Sequence, residues 1–95
     1  MKKSLRERMT EDMRLRGLTE RTQERYLHAI KMLARHYRCP PEELNQNQVR
    51  DYLLYMLEDR QYAKTTFRTN LAAIKFLYKR TLGRKWDTLD ITRVK

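Results

Sequence analysis

The sequence predicts an all-α fold, and three observations carry that prediction. Two glycines and two prolines among 95 residues leave few points where the chain is forced to turn. Apolar residues recur at spacings of three and four in four separate segments, which is the period of one helix face. Residues suited to satisfying free backbone donors stand at the head of three of those segments.

The first helix is expected near residues 4–16. Ser4 followed by Glu7 fits a capping box, Leu5, Met9 and Met13 repeat every four residues, and Gly17 suits a helix end. A second helix is expected near 19–38. Thr19 is its cap, Glu20 sits favourably beside the positive helix end, and Tyr26, Ile30, Leu33, Ala34 and Tyr37 form its apolar stripe. Cys39-Pro40-Pro41 ends it, because proline supplies no donor and restricts the residue before it. Asn45 with Gln48 opens a third helix near 46–60, whose inner side reads Val49, Tyr52, Leu53, Met56 and Leu57. The short stretch from Gln61 to Lys64 leads into a fourth near 64–82, with Phe67, Leu71, Ile74, Leu77 and Tyr78 inward and Gly83 closing it. Four of the six tyrosines, at 26, 37, 52 and 78, take stripe positions and read as core. Residues 84–95 show no lasting period, although Trp86 has the bulk to fold back onto the bundle. The expected organisation is one domain over residues 1–86 and a flexible polar tail or linker over 87–95.

Charge narrows the class of partner. Twenty-two Lys and Arg against twelve Asp and Glu give a net charge of +10, an excess that attracts phosphate polyanions and nucleic acid first among them. A membrane surface would call for an apolar stripe free to insert, whereas the stripes here serve as core. The opening MKKSLRERM has no apolar run, and nothing in the chain is long and apolar enough to span a bilayer. Cys39 is the single cysteine, so no internal disulfide forms and a cytoplasmic location is expected. His28 and His36 stand eight apart with no Cys or carboxylate at ligand spacing, so no metal site is expected. No glycine-rich phosphate loop exists, and Glu58 and Asp59 read as surface rather than as an acid–base pair. Neither a cofactor nor catalytic chemistry is expected of this chain.

The charge is also uneven. Residues 1–38 carry +6, residues 39–60 carry −3 and residues 61–95 carry +7, so helix 3 is an acidic element between two basic ones. At about 100° per residue, Arg21, Arg25, His28 and Arg35 fall within about 80° of one another, opposite the apolar stripe of helix 2. Lys64, Arg68, Lys75 and Lys79 align in the same way on helix 4. Hydroxyls cluster at both helix starts: Thr19 and Thr22, then Thr65, Thr66 and Thr69. A helix N-terminus offers free N–H groups and a positive dipole end, and neighbouring hydroxyls donate to phosphate oxygens; for Thr19, capping is the better reading. The contacts expected with double-stranded DNA are Arg21, Thr22, Arg25, Lys64, Thr65, Arg68, Lys75 and Lys79, mostly to phosphates.

The order of these features resembles the N-terminal core-binding (SAM-like) domain of tyrosine recombinases, the phage-integrase family. The resemblance is carried by Leu18-Thr19 with Thr22, Tyr26 and the aliphatics after it, then Leu44 and VRDYLLYML. Thr66 ahead of Ala72-Ala73-Ile74-Lys75-Phe76-Leu77-Tyr78 and the ending Leu82-Gly83-Arg84-Lys85-Trp86 complete it, over about residues 5–90. The ending looks particularly like integrases carried by bacterial mobile elements. The resemblance implies a small four-helix orthogonal bundle whose second and fourth helices cross against the DNA major groove. It also implies a C-terminal catalytic domain on the opposite face of the DNA and further recombinase protomers as partners. That catalytic domain holds the family's Arg, Lys, His and nucleophilic Tyr residues, so no tyrosine here is the nucleophile. In one departure, Ala63 stands where the family often has a Ser cap, which leaves the start of helix 4 without that hydroxyl. Two other readings remain open. A helix-turn-helix regulator would need a short turn between its helices, and the eight-residue link from Tyr37 to Asn45 opposes it. A helical protein-interaction adaptor would carry the basic surface incidentally.

Overall fold

Four helices form in the order expected. The structure, a computed structural model, describes residues 3–59 and 62–86. Helix α1 spans Leu5–Leu15, α2 Glu20–Tyr37, α3 Gln46–Glu58 and α4 Lys64–Lys75, with no strand among the described residues. The expected end of the third helix at residue 60 and the tail over 87–95 lie outside the described residues.

Local chemistry sets the boundaries. The Glu7 N–H donates to Ser4 Oγ at 3.1 Å, while the Ser4 hydroxyl meets the Glu7 carboxylate, so that box closes through side chains. At Asn45 the full reciprocal box forms: Gln48 N–H donates to Asn45 Oδ1 (2.8 Å) and Asn45 N–H to Gln48 Oε1 (2.9 Å). α1 ends in a Schellman motif, in which Leu18 N–H reaches Met13 O and Gly17 N–H reaches Arg14 O. Gly17 holds φ 78 there, a value that strains any residue with a Cβ.

Two features depart from a four-helix reading. Between α2 and α3, Pro41–Glu43 form a 3-10 turn, and Leu44 beside it is buried at 1% exposure. After Lys75 the last helix widens into a π turn over Phe76–Thr81, in which Leu82 N–H reaches back five residues to Leu77 O at 2.8 Å. This wider turn advances less angle per residue.

The core gathers Met9, Met13, Ile30, Leu33, Val49, Leu53, Met56, Phe67, Ile74 and Leu77, with α2 and α4 packed most extensively on each other. Tyr52 and Tyr78 are buried as expected, whereas Tyr26 and Tyr37 are half-buried. Leu57, expected inward, is 42% exposed, because α3 turns Val49, Leu53 and Met56 to the core and leaves Leu57 at the edge. Trp86 does fold back, stacked on Tyr78 with centroids 4.6 Å apart. Arg84 completes a clasp. Its guanidinium lies over both rings and donates to Leu44 O at 2.9 Å and to Glu42 O, tying the end of the last helix to the link between α2 and α3.

Tyr78 is the hub of that clasp, since its hydroxyl donates to Pro41 O at 2.6 Å from a fully buried ring. Tyr78→Phe removes one of that carbonyl's two donors, leaving Leu44 N–H at 3.1 Å, and is expected to cost about 0.5–1.5 kcal/mol in denaturant unfolding, with no change of fold. Burial also pushes the phenols up, Tyr52 to about 12 and Tyr78 further in the same direction. An unfolded phenol ionises near 10, so above that pH the unfolded state loses protons first. Stability from these two residues is therefore full below pH 10 and lost as pH rises towards 12. The unfolding midpoint should fall across that window, followed by tyrosinate absorbance.

Candidate nucleic-acid interface

α2 and α4 create the candidate surface because their inner faces are committed to the core. On α4, Phe67, Asn70, Leu71, Ala73 and Ile74 are buried, which leaves Lys64, Thr65 and Arg68 outward. On α2, Ala29, Ile30 and Leu33 are buried, which turns Arg21, Arg25, His28 and Arg35 outward. A groove runs where the two helices meet. Glu24, Arg25, His28 and Ala29 line one wall, and Thr65, Thr66, Thr69 and Asn70 the other.

Of the eight residues expected to contact DNA, the structure brings Arg25 and Thr65 into this groove. Arg21, Lys64, Arg68 and Lys79 are exposed but do not line it; Thr22 and Lys75 are half-buried. The Thr22 hydroxyl accepts from Thr19, and Thr22 N–H donates to Thr19 Oγ1, so both groups serve the cap at the start of α2. Arg21, Arg25, Lys64 and Arg68 make no hydrogen bond or ion pair among the described residues. Unneutralised cations beside one another raise the local attraction for anions.

His28, Thr66, Thr69 and Asn70 join the groove without standing among the eight. The first three share the signals of residues that do, a cation-bearing helix face and a run of hydroxyls. Asn70 has no such signal. Its burial follows from the helix crossing, and its Nδ2 donates to Thr66 O at 2.9 Å.

The start of α4 differs from the other three helices. Ser4, Thr19 and Asn45 each accept a backbone N–H, whereas Ala63 makes no side-chain cap. The first intrahelical bond is Phe67 N–H to Ala63 O, so the N–H groups of Lys64, Thr65 and Thr66 point out of the helix without a partner from its backbone. They adjoin the groove wall made by Thr65 and Thr66. Among the described residues, no group of three His, Cys, Asp or Glu gathers as a metal site requires, and no helix is long and apolar enough to cross a membrane.

The helical bundle and its basic crossing define a small all-α module of the SAM-like kind. The family described as the N-terminal SAM-like domain of phage integrase matches residues 5–88. The chain is 34% identical over 87 residues to a protein of Sinorhizobium fredii (strain NBRC 101917 / NGR234) named "Putative integrase/recombinase y4qK". That match takes in 92% of this chain but 28% of the relative. No solved structure matches the chain. The chain belongs to the phage-integrase N-terminal SAM-like domain family.

The missing cap yields a direct test. Ala63→Ser supplies an acceptor to the free donors and should stabilise the fold by about 0.5–2 kcal/mol in thermal or denaturant unfolding. An unchanged midpoint would mean that another group already satisfies those donors.

Proposed function

We propose that this chain grips duplex DNA with the outer faces of α2 and α4, as the core-binding module of a site-specific recombinase. The observation that carries the reading is the α2–α4 groove. There Arg25, which makes no hydrogen bond or ion pair among the described residues, faces the threonines of α4, beside a helix start without a side-chain cap. Arginine supplies charge and counterion release, hydroxyls and free N–H groups supply directional bonds to phosphate oxygens, and Arg25 is long enough to reach base edges. Arg21, Lys64 and Arg68, exposed on the same two helices, serve as further phosphate contacts, with Thr22, Lys75 and Lys79 completing the set. Residues 87–95 lead towards a catalytic domain that performs strand exchange, and other protomers on the same DNA complete the assembly. The domain itself positions DNA and contributes no reacting group.

Affinity measured against salt tests this reading. Arg21→Ala, Arg25→Ala and Arg68→Ala together should lower the slope of log affinity against log salt by about one unit for each phosphate no longer gripped. Arg50→Ala with Lys85→Ala, on α3 and on the clasp, removes exposed cations away from the crossing. Each change should move stability by only about half a kcal/mol, and circular dichroism reports whether the fold persists. A docked surface weakens far more per cation removed in the first set. Equal weakening per cation would leave only bulk attraction by the net charge of +10.

A further inference from the structure

The core and the α2–α4 crossing leave an apolar groove open on the other flank of α2. α1, α2 and the 3-10 turn enclose about 440 Å³ there, lined by Met9, Leu27, Ile30, Ala34, Pro41 and Leu77. Folded proteins pack closely, so an apolar opening of this size in so small a bundle calls for an occupant. Its charged lining is mixed, Arg6 and Lys31 with Glu24 and Glu42, which disfavours a polyanion.

The clasp delivers the chain to this groove. Tyr78 donates to Pro41 O and Arg84 to Glu42 O, so the two link residues that line the groove are both held from the end of the last helix. Trp86 stacks on Tyr78, whose neighbour Leu77 lines the groove as well. The chain beyond Trp86 therefore starts beside the groove wall.

Asp87-Thr88-Leu89-Asp90-Ile91-Thr92 follow, outside the described residues. Apolar and polar residues alternate from Thr88 to Thr92, so an extended chain turns Leu89 and Ile91 to one side and Thr88, Asp90 and Thr92 to the other. Ile and Thr also favour extended backbone. At about 3.4 Å per residue, Leu89 falls within about 10 Å of Trp86 and Ile91 about 7 Å further on. The α2 wall from Leu27 to Ala34 is about 10 Å long, enough for both side chains. Asp87 and Asp90 beside them complement Arg6 and Lys31 of the groove.

We propose that Leu89 and Ile91 seat in the α1–α2 groove of their own chain. The seat fixes the direction in which the chain leaves the bundle, which the Trp86 stack alone holds at a single point. It goes beyond the duplex reading and stands apart from it, since none of the cations assigned to DNA takes part.

Thermal unfolding and methyl NMR of the full chain test the seat. Leu89→Asp with Ile91→Asp should lower the melting temperature by roughly 5–10 °C, because two apolar side chains lose their cover. Thr88→Asp with Thr92→Asp adds the same charge on the other side of the alternation and should leave the melting temperature near the parent value. The methyl groups of Leu89 and Ile91 should show nuclear Overhauser contacts to those of Leu27 and Ile30. An unchanged melting temperature in the first variant, equal losses in the two variants, or absence of those contacts overturns the proposal. Within one chain, the contacts and the melting temperature are independent of protein concentration. Loss of the contacts on dilution, with a dimer in sedimentation, assigns the groove to the same segment of a second copy and overturns the seat proposed here.

Discussion

The packing of α4 against α2 is the constraint on which the rest of the structure depends. Burying Phe67, Leu71, Ala73, Ile74 and Leu77 against a core that includes Ala29, Ile30 and Leu33 leaves each helix one free face. Those free faces carry Arg21, Arg25, Lys64 and Arg68, which make no hydrogen bond or ion pair among the described residues. The groove therefore needs no dedicated architecture, because it is the outer side of the largest apolar contact. Ala29 shows the coupling: it is buried at 3% exposure, yet it also lines the groove wall. A bulkier side chain there would press on core and surface together.

Sequence periodicity made the helices legible, and three of the four start at chemistry confined to a few residues. Ser4, Thr19, Asn45 and Gly17 act on backbone groups three to five residues away, and those distances are fixed before any tertiary contact forms. The turns that departed from expectation are set from afar. The π turn follows α4, where Tyr78 reaches Pro41, thirty-seven residues away, and Arg84 reaches Leu44. No local spacing encodes either bond.

The site was legible by halves for a related reason. A helical wheel gives directions around one axis but not how two axes cross. It found the cationic side of α2 and the cationic side of α4, and the crossing then turned the threonine side of α4 into the groove, leaving Lys64 and Arg68 beside it. Asn70 escaped notice for the same reason, since only the neighbouring helix makes its position buried. Leu57 is the converse, a stripe residue that no neighbouring helix covers.

The unpaired cations also bear on stability. Lys3, just ahead of α1, pairs with Glu11, and its hydrogen bond to that carboxylate raises the lysine's pKa. Along the outer side of α2 the chain keeps Glu24 among five exposed Lys and Arg without a matching ion pair among the described residues. Such an arrangement opposes compaction by self-repulsion and gains nothing in the free protein. The core must therefore offset it, which the fully buried Leu33, Val49, Ala73, Ile74, Leu77 and Tyr78 are placed to do. A polyanion laid along α2 relieves the repulsion at the moment of contact, so the same charges that weaken the free fold would stabilise the bound one by mass action. Added salt relieves the repulsion too, but it competes for the same cations. Ionic strength should thus strengthen the free fold while weakening the proposed grip on a polyanion, and that opposition follows from where the cations sit rather than from their number.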